Sequence, residues 1–325
     1  MAVRTLWSGM LWLFLLLNGC AFVNVEMLRP PSPLQERVVE GEGTRKILLL
    51  DVTGFISEKE KSGGQLSPER PSLVAHMKEA LQKAEKDEDV VGVILRINSP
   101  GGTVTASDII HHELLNFRDR RKVPVYACIV GTGTSGGYYV ATAADEISIH
   151  PTGITGSIGV IVMTFNVEGL LAKVGVSEKT IKSGDKKDIL SPFRPATPEE
   201  EQIMQTIINR LYSRFVDVVN SRRGNTLDRK GIEFLADGRI YTADQALDAK
   251  LVDRVGYLDE AITAMKKTLN LDRAKVVSYY RSGSYKGTIY SDASASSPPV
   301  VNLVNINADG LELLTGTEFL YLWKP

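Results

Sequence analysis

Three apolar runs separated by amphipathic stretches constrain this chain more than any other feature. KILLLDVTG (46–54), VVGVILRINSPGG (90–102) and VPVYACIV (123–130) are nearly continuous in aliphatic residues, the mark of strands covered on both faces. Between the first two lies SPERPSLVAHMKEALQKAEKD, with Val74, Met77, Leu81 and Ala84 on one helical face. ASDIIHHELLNF, a second helix, separates the next two. Strand, helix, strand, helix, strand is the order of an α/β fold whose sheet is covered by helices.

The later chain continues in short elements. YYVATAADEISIHP reads as a short helix and a strand, and GITGSIGVIVMTF follows. A long helix is predicted between Pro195 and Val219: Thr197 is its N-cap, Pro198 its first residue, and Glu200 completes a capping box. Ile203, Ile207, Leu211 and Phe215 form its apolar stripe. GRIYTADQALDAKLVDRVGYLDEAI (238–262) reads as turn, helix, short strand and helix. From about Val276 the tail, with SYYRSGSYKG and SDASASSPP, reads as an irregular extension.

The 325 residues suffice for one large domain or two modest ones. A net charge of -1, from 38 basic and 39 acidic side chains, gives no electrostatic footprint for nucleic acid. Two cysteines make no disulfide framework, and Cys128, inside an apolar run, is expected to be a small buried hydrophobe. The first 20 residues differ in kind: MAVR is basic, LWSGMLWLFLLL is apolar, and NGCA follows. That is an export signal, and its end at Gly19-Cys20 resembles a bacterial lipobox, with Cys20 as the lipidation site. The apolar stretch falls short of the roughly 20 residues a spanning helix needs. The folded part is therefore expected outside the cytosol, behind a tether over 21–44 that contains RPPSP.

Candidate chemistry starts at VGTGTSGGYY (130–139), where the third apolar run ends in hydroxyls among glycines. Ser135 lies where a strand-to-helix turn would expose it, and the N–H of Gly136 is left uncovered to face an oxyanion. A second Gly-rich turn, SPGG (99–102), closes the preceding strand and offers the N–H of Gly102 at the same sheet edge. A nucleophilic serine needs a base. The four histidines, His76, His111, His112 and His150, have no catalytic setting in the sequence. IKSGDKKDILSPF (181–193) offers Lys182, Lys186 and Lys187, among which composition does not choose, and a lysine base must be desolvated to be neutral.

The ordered set SPGG, TSGGYYVATAADEI, TGSIGV, KSGxxKD and GRxYTxxQA with LVD behind it resembles the signal peptide peptidase A family of S49 serine proteases. The match runs from about Lys46 to about Leu269 and is similar to the short, single-unit bacterial form. The resemblance implies a ClpP/crotonase-like fold with repeated ββα units, spanning 45–275 as the peptidase domain with 276–325 as a C-terminal extension. It implies a Ser-Lys dyad without cofactor or metal: Ser135 as nucleophile, Lys187 as general base, Ser157 orienting the lysine, and Gly102 and Gly136 as the oxyanion hole. It further implies a homo-oligomer, an octameric ring or dome in which lysine reaches a neighbour's serine. The implied location is the bacterial cell envelope, membrane-anchored through the N-terminus with the catalytic domain on the extracytoplasmic side. Extended apolar peptides, signal peptides among them, are the implied substrates. Thr134 stands where the family has alanine, and Lys250 where it has glycine. Two other readings share the fold: a crotonase-like acyl-transfer enzyme, which needs neither Ser135 nor Lys187, and a non-catalytic lipoprotein scaffold, which would have lost the dyad.

Overall fold

The three apolar runs become adjacent parallel strands: β2 (Lys46–Thr53), β3 (Val90–Ser99) and β5 (Val125–Thr134). The computed structural model describes residues 33–60, 71–281 and 318–323; the export signal with Cys20 and most of the tail lie outside the described residues. Side chains alternate between two covered faces. Leu48, Leu50, Leu95 and Ile129 enter one core, whereas Ile47, Leu49, Ile94 and Cys128 enter the other. With no wet face, the strands need no polar alternation.

The larger core lies beneath α1 (Leu73–Glu85) and α2 (Val104–Arg121), which contribute Met77, Leu81, Ile110, Leu114 and Phe117. The smaller is closed by α8 (Leu258–Thr268) through Leu258, Ala261, Ile262 and Met265. Around the parallel centre, β6 (Glu146–Ile149) pairs with β5, and β10 (Arg254–Val255) pairs with β6. Past its pairing with β6, β5 continues beside β7 (Ile154–Gly156), which pairs antiparallel with β9 (Ile240–Thr242). The fold is α/β with a mixed sheet.

Two strands come from segments whose sequence does not announce them. Gln35–Glu40, inside the stretch read as a tether, is β1, and Lys275–Tyr280, where the tail begins, is β11. β11 lies between β1, antiparallel, and β2, parallel. QERVVE is mostly exposed and charged, as an edge strand must be to resist pairing with another chain. Far along the tail, Phe319–Leu322 is β12, the middle strand of a small antiparallel sheet between β4 (Gly101–Thr103) and β8 (Ile161–Val162).

The long helix is α5 (Pro198–Arg223) and begins with the expected capping box: Glu200 N–H donates to Thr197 Oγ1 at 3.3 Å, and Thr197 N–H donates to Glu200 Oε2 at 2.9 Å. Its stripe is only half used. Phe215 is fully buried, but Ile203 and Ile207 are 37% and 36% exposed, because the first half of α5 turns them away from the core and buries Glu200 and Met204 instead.

Candidate active site

Ser135 occupies the one residue between β5 and α3 (Gly136–Ala141). Its φ of 53° and ψ of -116° lie outside the regions a side chain prefers, a strain of about 1–3 kcal/mol that the surrounding structure must hold. It is held from both sides: Ser135 N–H donates to Gly156 O at 2.7 Å, and its carbonyl accepts from Tyr139 N–H at 2.9 Å. Its Oγ is buried and has no hydrogen-bond partner among the described residues, and neither does the neighbouring Thr134 Oγ1. A hydroxyl left unsatisfied at a strained turn is poised for chemistry rather than for stability.

Gly136 and Gly102 meet in front of it. A Cβ built on Gly136 would lie 3.1 Å from Gly102 N, and one on Gly102 would lie 1.9 Å from Ile56 O, so only glycines permit the approach. β4 is fixed by Ile56, whose N–H donates to Gly101 O and whose carbonyl accepts from Thr103 N–H, both at 2.9 Å. The N–H of Gly102 therefore faces away from Ile56. Ser157 completes the cluster from behind, since its own peptide bond carries the Gly156 carbonyl that holds Ser135. Its φ is 51°, and its N–H donates to Arg239 O at 2.7 Å.

Among the described residues no hydrogen bond ties Lys187 to this cluster. It lies on a turn, exposed, with its N–H donating to Gly184 O at 3.0 Å. Of the predicted residues the structure thus gathers Ser135, Gly136, Gly102 and Ser157, and leaves Lys187 on the surface. Cys20 lies outside the described residues.

What sequence reasoning missed is that the groove is filled by the chain's own β12. Trp323 N–H donates to Pro100 O at 2.9 Å, and in an antiparallel ladder the next hydrogen-bonded pair is two residues on, Gly102 with Tyr321. The Tyr321 carbonyl lies 3.1 Å from a Cβ built on Gly136 and 1.9 Å from one built on Gly101. It therefore sits against the backbone of the glycine pair, opposite Gly102 in the ladder and beside Gly136. The Tyr321 ring fills a pocket below, stacked on Tyr139 at 5.1 Å and tilted on Phe215 at 4.6 Å, and its hydroxyl donates to Leu211 O at 2.9 Å. FLYLW was the available signal, a short wholly apolar run near the end of the tail.

The pocket wall is braced by charge. Tyr139 donates a short hydrogen bond to Asp108, and Arg214 reaches the same carboxyl at 2.9 Å. Burial pushes the Asp108 carboxyl up, but the bonds from Tyr139 and Arg214 outweigh it and hold the group below its ordinary range. His111 sits edge-on to Tyr139 at 5.2 Å, and burial lowers its imidazole from 6.5 to about 4. It is a neutral wall residue, with no bond to Ser135.

A strained serine beside two glycines whose backbones approach closely, next to a seat that takes a strand, is an arrangement suited to acyl transfer on an extended chain. Comparison with known proteins gives the class its family. The model for Peptidase family S49 matches residues 117–272. A protein of Enterococcus faecium named as a candidate signal peptide peptidase, SppA, is 37% identical over 245 residues, 75% of this chain and 70% of its own. A protein of Methanocaldococcus jannaschii named as a candidate protease is 32% identical over 277 residues, 85% of this chain and 87% of its own. Among solved structures, a membrane-bound stomatin-specific protease aligns with a TM-score of 0.43 at 14% identity, covering 68% of this chain and 85% of that one. The chain belongs to peptidase family S49 and is a serine peptidase.

Proposed function

We propose that Ser135 and Lys187 form the dyad of an endopeptidase that cleaves extended apolar peptides, cleaved signal peptides among them, outside the cytosol. The observation that carries this reading is β12: a strand from the chain's own tail lies in the groove with a carbonyl against Gly102 and Gly136, next to Ser135. A substrate held the same way would place its scissile carbonyl where Tyr321 has one, with a large apolar or aromatic side chain in the pocket of Tyr139 and Phe215.

In the reaction, Ser135 Oγ attacks the carbonyl carbon as its proton passes to neutral Lys187 Nζ. The oxyanion forms against the N–H groups of Gly102 and Gly136. Collapse breaks the C–N bond, and the lysine ammonium protonates the leaving amine. Water, deprotonated by the same lysine, then releases the acyl group as a carboxylic acid and restores Ser135.

Lys187 reaches the serine of a second copy. The exposed position of Lys187 supports this, as does the segment before it: Leu170, Val174, Val176 and Ile181 are 62%, 66%, 51% and 91% exposed, and α4 (Glu168–Lys173) buries nothing within its protomer. Apolar surface on that scale is suited to a partner of the same chain. A ring or dome of eight is the assembly expected, on a ClpP/crotonase-like core of about 45–275 flanked by β1 and the C-terminal extension. Lipid on Cys20 would hold the assembly at the envelope membrane; among the described residues no helix is long and apolar enough to cross one.

The test is intact mass after treatment with a serine-reactive peptide inhibitor, alongside turnover of a fluorogenic apolar peptide. Wild type is expected to label and turn over, Ser135→Ala and Lys187→Ala to do neither, and co-expression of the two variants to restore partial turnover. Turnover by Ser135→Ala, or an assembled wild type inert in both assays, would overturn the assignment.

A further inference from the structure

The loop that carries Lys187 is held by one side chain that neither motif nor family role accounts for. The guanidinium of Arg194 bridges two carboxylates. On one side it donates to Asp188, the residue after Lys187, through Nη2 at 2.6 Å and Nε at 3.0 Å, and it also reaches the Asp188 carbonyl at 3.3 Å. On the other it donates to Glu200 through Nη2 at 2.6 Å and Nη1 at 2.8 Å. Glu200 is 2% exposed and is the same residue that caps the first turn of α5, so the clamp ties the lysine loop to a helix end. Lys182 closes the loop from its start, donating to Asp188 Oδ1 at 2.6 Å and to the Asp185 carbonyl at 3.1 Å.

We propose that Arg194 is the positioning residue for Lys187: it fixes the loop on α5 and engages the neighbouring Asp188 carboxylate, so that the lysine can lose its proton. The inference rests on the Ser135–Lys187 reading above. Two effects follow from one geometry. A planar fork with two parallel bonds to a carboxylate fixes orientation, which a lysine's point charge does not. A general base displaced by about 1 Å loses on the order of 100-fold in rate. The second effect is electrostatic. A free carboxylate within a few Å of an ammonium favours the charged form, which is the wrong form for a base.

Every charged group facing this turn belongs to the same balance. Asp188 is shared by Arg194 and Lys182, Glu200 is held by Arg194, and Lys186 is paired with Glu199 at 2.5 Å. Asp185 offers its backbone carbonyl to Lys182. Arg194 and then Lys182 hold the Asp188 carboxyl well below its ordinary range, and Arg194 with the Thr197 N–H holds Glu200 down to about 2. Both carboxylates are therefore charged at any working pH. Removing Arg194 leaves Lys182 as the partner of Asp188 and strips Glu200 of its guanidinium, so the turn beside Lys187 gains one net negative charge and loses its tie to α5.

The experiment measures kcat and kcat/KM against pH for the full assembled chain, with the fluorogenic apolar peptide as substrate. Arg194→Met, Arg194→Lys, Arg194→Met combined with Asp188→Asn, and Lys187→Ala are compared, each checked for assembly size and thermal unfolding. Arg194→Met is expected to lower kcat at neutral pH by at least about tenfold with KM nearly unchanged, and to move the acid limb upward. Adding Asp188→Asn is expected to return the limb to its wild-type position while kcat stays low, a separation that a merely structural role would not produce. Arg194→Lys keeps the charge and loses the fork, so kcat falls while the limb stays; it carries the test if Arg194→Met fails to assemble. An Arg194→Met or Arg194→Lys enzyme with wild-type kcat and limb, beside an inactive Lys187→Ala, overturns the inference and leaves the dyad standing. Wild-type turnover by Lys187→Ala overturns both.

Discussion

Gly102→Ala is the most direct probe of the site, because the structure sets its size. The added Cβ would lie 1.9 Å from Ile56 O and 2.6 Å from both Ile56 C and Ile56 N. These are backbone atoms, and no rotamer relieves the overlap. Ile56 and β4 are tied by two hydrogen bonds of 2.9 Å, so relief requires one backbone to move by at least about 1 Å. That displaces the Gly102 N–H from the position proposed for the oxyanion. A misplacement of about 1 Å is worth about 100-fold, or about 2.7 kcal/mol in the barrier, in the range measured for loss of one oxyanion donor. The assay is kcat on a fluorogenic apolar peptide, with intact-mass labelling of Ser135 and thermal unfolding in parallel. Gly169→Ala is the control, since a Cβ there meets nothing within 4 Å. Gly102→Ala is expected to lower kcat about 100-fold while the control stays within about threefold. A folded, assembled Gly102→Ala enzyme with kcat within threefold of wild type would refute the oxyanion role of this strand.

Three further outcomes follow from the geometry. Ending the chain at residue 317 removes β12, and kcat/KM for short apolar peptides is expected to rise; an unchanged value would mean that β12 does not compete for the groove. The His111 imidazole binds its proton at about 4 when folded and at 6.5 when unfolded, so the unfolded state takes up protons first as pH falls. Stability from this group is full above 6.5 and is lost towards 4, on the order of 3 kcal/mol, and urea midpoints of His111→Phe should lack that part of the pH dependence. Lys250 closes α7 (Ala243–Asp248) with φ 56°, in a motif where Lys250 N–H donates to Leu247 O and Leu251 N–H to Ala246 O. Lys250→Gly is expected to raise thermal stability by about 1 kcal/mol, and a lower Tm would show that the lysine side chain compensates the strain.

Legibility of the sequence followed the strength of the local signal. The parallel centre was readable because Ile47 to Val52 and Val90 to Ile97 carry aliphatic residues on both faces, broken only by Asp51 and Arg96, which pair with each other, and a doubly covered sheet requires such a pattern. The start of α5 was readable from Thr197, Pro198 and Glu200, whose capping chemistry is local. β1 was hidden, since its partner β11 is more than 230 residues away and its charged exposed residues look like a linker. Ile203 and Ile207 match the helical period but face outward, because periodicity marks an apolar face and not what covers it. At the site, the turn that holds Ser135 was visible in its glycines. Its occupancy was not: the pairing of Tyr321 with Gly102 joins positions some 220 apart, and nothing near either one encodes the other. Arg194 was invisible for a similar reason, as its two carboxylates gain meaning only once the loop and α5 are brought together.

The position of β11 bears on how the protein is made. β1 reaches the sheet only through β11, which lies between it and β2. During synthesis β2, β3 and β5 emerge well before Lys275–Tyr280, and until then the outer edge of β2 has no strand beside it. Lys46–Thr53 is eight residues long with Ile47 to Leu50 continuously aliphatic, the kind of open edge that recruits other chains. Closing it demands a contact of very high sequence separation, which slows folding. Adding β11 is thus also the step that draws the N-terminal strand onto the sheet, so a chain stopped short of residue 275 keeps a sticky edge and a loose leader at once.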